Sequence, residues 1–324
     1  WKLREEFTDL EKNVLYVPLA MVLSRMEAAL ACEGADKARE YLEGAHSSLC
    51  GNPADFPARE LKRLFQLTEK LLTEEFLSRQ PWEGAAMWRH QAVHSLHGSW
   101  SHLTEANWDW LERQERAAVV LLESHSSEDP FLPEFWKSLA LVLWKCPHGT
   151  FKDRHREALN LFRKALELSR KQNQASLIVG LLNDLATLLH EMAREEPALL
   201  PLSIQYYGEI IDQGGHKGKQ LDFHQMALGN RGWARIELPR DQQPQGFRDA
   251  IVDLEKALEL CGDSPFFLRS RAHHYVHLGL AHTELAFYEP GHHGRAIECF
   301  EASIELCQIL KDPIEESRAL HNLE

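Results

Sequence analysis

The sequence predicts an all-α protein built from antiparallel helical hairpins that stack one on the next. Four segments share one pattern of small, aliphatic and aromatic residues at nearly constant spacing. Each segment follows a second apolar pattern that also has helical periodicity. Strand-like alternation of apolar and polar residues is essentially absent. Because one hairpin cannot bury its apolar face alone, the copies are expected to stack.

The four segments form the second helix, helix B, of each predicted hairpin. They cover residues 158–166, 203–211, 250–258 and 296–304, which places their starts about 46 residues apart. Helix A precedes each of them and carries a bulky apolar residue four positions before a small one. A small side chain lets the two helices of a hairpin approach closely where they cross. The bulky and small pairs are Trp136 and Ala140, Leu182 and Ala186, Leu228 and Gly232, and Tyr275 and Gly279.

These patterns resemble the tetratricopeptide repeat family. The family's positions are met by Trp136, Leu139, Ala140, Ala158, Phe162 and Ala165, and again by Tyr275, Leu278, Gly279, Ala296, Phe300 and Ser303. The resemblance implies a right-handed superhelical stack whose A helices line a concave, peptide-binding groove. One departure is the period of about 46 residues, since the family's repeat is usually about 34 residues long.

The repeats divide the chain into three parts. Residues 1–130 are expected to form divergent helical hairpins, with helices over 19–31, 35–48, 57–77, 85–97 and 103–124. Residues 131–316 are predicted to hold four regular repeats, and residues 313–324 the start of a further one. The four repeats are assigned to about 131–175, 176–220, 221–266 and 267–312.

Composition excludes several classes of function. The formal net charge of −13 disfavours binding to a polyphosphate backbone, so no nucleic-acid partner is expected. No apolar run approaches the ~20 residues of a membrane span. The six cysteines form no CxxC pair, which favours a reducing, cytoplasmic compartment without a zinc site. Because the chain begins at Trp1, we expect it to be part of a longer protein.

The groove that the resemblance implies is acidic and contains tryptophan. Glu191, Glu237 and Glu284 recur on successive A helices and favour a basic or mixed apolar segment of a protein partner. Trp233 is either an aromatic anchor in this groove or a residue packed between neighbouring repeats. The expected groove residues are Ser138, Leu141, Trp144, Lys145, Asp184, Thr187, His190, Glu191, Asn230, Trp233, Ile236, Glu237, His273, His277, Leu280, Thr283 and Glu284.

The sequence therefore predicts a non-catalytic protein-interaction scaffold that needs no cofactor or metal. It resembles the sensor or adaptor arrays of large bacterial signalling proteins. One alternative is an all-helical metal enzyme that uses residues 82–110, where His90 and His94 share a helix face. The other is a structural module that self-associates through residues 317–324 at the open end of the stack.

Overall fold

The structure is a computed structural model that describes residues 16–48, 58–96, 103–213, 219–239, 242–262 and 264–323. All regular secondary structure in these ranges is helical, so the predicted all-α class is confirmed. Helical hairpins follow one another along the chain. The residues group into two compact units, Trp1–Leu168 and Ser169–Glu324, and each is described by itself.

The helices of the first unit agree closely with the sequence prediction, with one exception. The predicted helix over 57–77 is wrong at its C-terminal end, because one helix ends at Leu71 and a second begins at Glu74. Thr73 is extended, and its hydroxyl accepts the N–H of Phe76 at 3.2 Å, which caps that helix. The helices are α1 (Tyr16–Cys32), α2 (Ala35–Ser48), α3 (Ala58–Leu71), α4 (Glu74–Ser78), α5 (Trp82–Leu96), α6 (Glu105–His125), α7 (Leu132–Lys145) and α8 (Phe151–Lys171).

The core of the first unit joins its N-terminal helices to α6. Leu64 and Leu71 lie two turns apart on one face of α3 and are fully buried. They belong to one apolar cluster with Leu23 of α1 and with Trp108 and Trp110 of α6. Apolar residues at helical spacing on α3 therefore fix where this helix packs.

The second unit contains the remaining helices. The last of them, α15, falls where the sequence predicts the start of a further repeat. The helices are α9 (Ala175–Met192), α10 (Leu200–Asp212), α11 (Lys219–Ile236), α12 (Gln245–Cys261), α13 (Leu268–Ala286), α14 (His292–Leu310) and α15 (Pro313–Leu323). Short 3₁₀ turns at Pro197–Leu199 and Pro265–Phe267 lead into α10 and α13.

The helices of this unit pack as consecutive hairpins. Helices α9, α11 and α13 each pack on the helix that follows, and α10, α12 and α14 also contact the next A helix. Helix α11 contacts both α9 and α13, so the three A helices lie side by side. Within the described ranges, we find no helix with the length and apolar character that a bilayer crossing requires.

Small residues stand where the helices of a hairpin cross, as predicted. A Cβ atom on Gly279 would lie 2.5 Å from the ring of Phe300, and one on Gly232 would lie 2.7 Å from Cγ of Leu254. In the hairpin of α9 and α10, the hydroxyl of Ser203 donates to the carbonyl of Ala186 at 2.7 Å. The backbones approach too closely at these points for a larger side chain.

We predict that Gly279→Ala destabilises the protein by about 2 kcal/mol, because the new methyl group would overlap the buried ring of Phe300. Urea unfolding followed by circular dichroism measures the change. The matched control is Gly294→Ala in α14, where a Cβ would meet nothing within 4 Å. Alanine there should leave stability unchanged or raise it slightly. Equal effects of the two substitutions would contradict the close crossing.

Candidate functional site

The predicted groove residues from Asp184 to Glu284 lie on α9, α11 and α13, except Glu237, which directly follows the last residue of α11. These three helices contact each other in order, and the surface that they form is called the A-helix face. Ile236 and Leu280 are partly buried on this face, whereas Glu237 and Glu284 are exposed. These residues therefore combine partly buried apolar side chains with exposed carboxylates.

An aromatic column made of His190, Trp233 and His277 links the three A helices. The rings of Trp233 and His277 are stacked, with centroids 4.9 Å apart and planes at 16°. The ring of His190 meets Trp233 at 4.7 Å and 64°, an edge-on arrangement. Trp233 thus packs between neighbouring hairpins, which was one of the two interpretations of this residue in the sequence.

Glu237 is hydrogen-bonded to a member of the aromatic column, His190. Its Oε2 lies 2.9 Å from Nε2 of His190, so this carboxylate, directly after α11, is hydrogen-bonded to the preceding A helix. This hydrogen bond is the main reason that the pKa of Glu237 is lowered, against the opposing effect of burial. The negative charge of Glu237 is therefore held at a fixed position on the A-helix face.

Thr187 and Asn230 support a buried tyrosine. Tyr207 of α10 is 1% exposed, and its hydroxyl lies 3.1 Å from Oγ1 of Thr187. Burial raises the pKa of Tyr207, and the hydrogen bonds with Thr187 and Asn230 oppose that rise. Tyr207 belongs to the predicted helix B segment 203–211, but the sequence did not indicate that it reaches these two groove positions.

The histidines of α13 lie next to one another and to His190. Burial, together with the nearby His274, His273 and His190, lowers the pKa of His277 to about 3. His274 has a pKa of about 4, also mainly through burial, and its Nε2 lies 2.8 Å from Oε1 of Gln225. The predicted ligand position His277 is thus a neutral packing residue near pH 7.

The arginines of α11 are ion-paired with one helix B residue. Asp253 of α12 is 3% exposed and receives two hydrogen bonds from Arg231, at 2.8 and 2.7 Å. Arg235 donates to the same carboxylate at 2.5 Å. The carboxylates among the predicted groove residues are Asp184, Glu191, Glu237 and Glu284, and Arg194, two residues after α9, lies near enough to act on Glu237.

The four remaining predicted groove residues lie on α7 in the first unit. Ser138 and Leu141 are partly buried, and Trp144 is buried with its ring 6.2 Å from that of Phe162. The amino group of Lys145 lies 3.3 Å from the centre of the Trp144 ring, a cation–π contact. Trp144 is thus largely covered by its own unit.

His90, the candidate metal ligand, is engaged in packing. Its Nδ1 lies 2.7 Å from Oε1 of the buried Glu115, and its ring stacks on Phe135 at 4.1 Å. Burial lowers the pKa of His90, but the carboxylate of Glu115 outweighs it and the net pKa is raised. The side chain of His94 lies outside the described residues. Within the described part of the chain, no three His, Cys, Asp or Glu side chains are grouped to hold a metal ion.

The protein is thus an all-α protein of stacked helical hairpins, with contacting A helices in its second unit. No family model and no curated protein matches the chain. One solved structure that it resembles is described as a circular tandem repeat protein with novel repeat topology and enhanced subunit contact surfaces. It is 14% identical over 99% of this chain and 78% of its own, with a TM-score of 0.28, a similarity too low to inform fold or function. The tetratricopeptide family and the regular period of about 46 residues stay predictions.

We predict that stability falls in mild acid partly through His277. Its folded-state pKa of about 3 lies below the usual 6.5, so the unfolded chain takes up the proton first. The contribution of His277 to the free energy of unfolding is complete above pH 6.5 and is lost as the pH falls toward 3. The loss amounts to about 1 kcal/mol between pH 7.5 and 5.5. His277→Phe keeps a ring against Trp233 and should lose less stability over this interval. Urea unfolding at both pH values measures the difference, and identical losses in the two proteins would contradict the assignment.

Proposed function

We propose that the protein is a non-catalytic interaction scaffold whose A-helix face binds a basic or mixed apolar segment of another protein. The observation that carries this proposal is the separation of charge in the second unit. The proposal assigns the carboxylates of α9 and α13, and Glu237 directly after α11, to the face, while Arg231 and Arg235 are paired with Asp253 of a helix B. A surface of one sign favours a partner segment of the opposite sign and speeds its association.

The aromatic column limits how such a segment would bind. Because Trp233 is contacted by His190 and His277, its ring supplies a rigid floor instead of an open aromatic pocket. Exposed Glu237 and Glu284 would contact lysine or arginine side chains, and Ile236 and Leu280 would contact apolar ones. The fixed position of Glu237 reduces the entropy lost on binding.

The proposal also covers the kind of larger protein that would contain this scaffold. A scaffold of this kind fits the sensor or adaptor part of a larger bacterial signalling protein in the cytoplasm, as the sequence resemblance implies. The proposal assigns no catalysis, no cofactor and no nucleic-acid partner to the chain. Its net charge of −13 supports a partner rich in lysine or arginine.

Self-association is a second candidate, favoured by apolar residues at the end of the second unit. Ile309, Ile314 and Leu320 are 65%, 67% and 45% exposed, and they lie at the end of α14 and on α15. If these side chains form an interface, sedimentation velocity should show a concentration-dependent dimer that Ile314→Ser disrupts. A monomer at all concentrations would rule out this role for the chain on its own.

We predict that a triple variant with glutamine at Glu191, Glu237 and Glu284 binds a fluorescent peptide of alternating lysine and leucine about tenfold more weakly. Fluorescence anisotropy measures the affinity. Glutamine keeps the hydrogen-bonding capacity of each position, so the hairpins should remain folded.

The matched control removes three exposed carboxylates of B helices, with glutamine at Glu255, Glu259 and Glu301. It changes the net charge equally and should leave the affinity nearly unchanged. An equal loss in both variants would show only general attraction to an acidic protein. Unchanged binding in the first variant would overturn the assignment of the A-helix face.

A further inference from the structure

A cleft of about 420 Å³ opens on the first unit, on the side where α4, α5 and α6 meet. Its volume falls within the range of small-molecule sites. Trp110, Leu72 and Ala117 supply apolar walls, and the polar lining comes from Glu74, Arg89, Arg113 and Gln114. The cleft therefore combines apolar surface with a few converging polar groups, and the proposed function makes no use of it.

Arg89 is the buried charge of this cleft. It is 9% exposed, and its guanidinium binds the carboxylate of Glu74 in a two-pronged arrangement. Nη2 lies 2.7 Å from Oε2 of Glu74, and Nη1 lies 3.2 Å from Oε1. Nη1 also donates to Oε1 of Gln114. The buried Nε has no hydrogen-bond partner among the described residues. The guanidinium thus presents a fork that matches a carboxylate.

The two partners of this ion pair differ greatly in exposure. The side chain of Arg89 is 11% exposed, whereas that of Glu74 is 75% exposed. A buried guanidinium needs an anion to offset the loss of its hydration. The carboxylate of Glu74 is well exposed instead, so it loses little by returning to water when another anion binds Arg89. An external carboxylate could then take the same place.

We propose that the cleft is a binding site for a small organic carboxylate, which replaces Glu74 on Arg89 and packs its apolar body against Trp110, Leu72 and Ala117. Arg113 is exposed at the cleft and adds a second positive charge. Once Glu74 moves away, two cations face the ligand in a chain that is acidic as a whole. This site lies in the first unit and is independent of the A-helix face.

Several features favour a carboxylate over a phosphate group. The bidentate contact with Glu74 already has carboxylate geometry. Arg89 is the only buried cation that lines the cleft among the described residues. It would balance only one of the two negative charges of a phosphate group bound inside the cleft. The apolar walls favour a ligand with an aromatic or aliphatic body.

The test measures benzoate binding to wild type, Glu74→Gln and Glu75→Gln by isothermal titration calorimetry. Glu74→Gln removes the internal competitor, and we expect it to bind benzoate about tenfold more tightly than wild type. Glu75→Gln is a matched control, since Glu75 is the next residue, is equally exposed and pairs with Arg79. It changes the net charge by the same amount and should bind benzoate like wild type.

Two further probes define the ligand class. Benzamide has the same ring without the charge and should not bind measurably, and phenyl phosphate should bind more weakly than benzoate. Arg113→Gln should weaken benzoate binding about threefold without affecting folding, because this side chain is exposed.

The proposal is overturned if Glu74→Gln, with a native circular dichroism spectrum, fails to bind benzoate, or if Glu74→Gln and Glu75→Gln bind it equally. Tighter binding of phenyl phosphate than of benzoate would overturn the choice of carboxylate. Because the A-helix face is tested with a different probe and different variants, each proposal can fail without the other.

Discussion

The close crossing of two helices within each hairpin is the constraint on which the second unit depends. At Gly232 and Gly279 the helix backbone lies against side chains of helix B, with no room for a Cβ atom. The hairpins that cross this closely are stacked so that α9, α11 and α13 contact each other in order. The aromatic column, the His190–Glu237 hydrogen bond and the acidic face all follow from that arrangement.

The ion pairs of Arg231, Arg235 and Arg89 illustrate different uses of charge. Arg231 and Arg235 share the nearly inaccessible carboxylate of Asp253 inside the hairpin of α11 and α12. Arg89 is itself buried, but the carboxylate that it binds is exposed. The first arrangement is closed and structural. The second leaves a buried cation whose anion can be exchanged, which is the physical difference between a structural ion pair and a candidate ligand site.

The repeating sequence pattern could predict much of the fold because its signals are local. Small residues such as Gly279 and helical periodicity mark crossings and faces without knowledge of the rest of the chain. The end of the helix at Leu71 was not predicted, because apolar residues continue at helical spacing beyond it. The cap of the next helix depends on the single hydroxyl of Thr73.

The candidate sites were less predictable, because they depend on contacts between distant residues. The sequence left open whether Trp233 is a groove anchor or packs between repeats, because its packing depends on rings of two neighbouring hairpins, His190 and His277. The cleft around Arg89 requires Glu74, fifteen residues away in the chain, and Gln114, twenty-five residues away. Neither spacing forms a motif, so only the folded chain shows the cleft.

The aromatic column also affects how the local opening of one hairpin in the second unit influences its neighbours. Trp233 has a ring partner on each side, so opening the hairpin of α11 and α12 would leave both His190 and His277 without their contact. In a one-dimensional array, such shared contacts act as nearest-neighbour couplings and lengthen the block that opens together. The three hairpins of α9 to α14 are thus joined into a single cooperative element, which transmits a disturbance at one hairpin to the next.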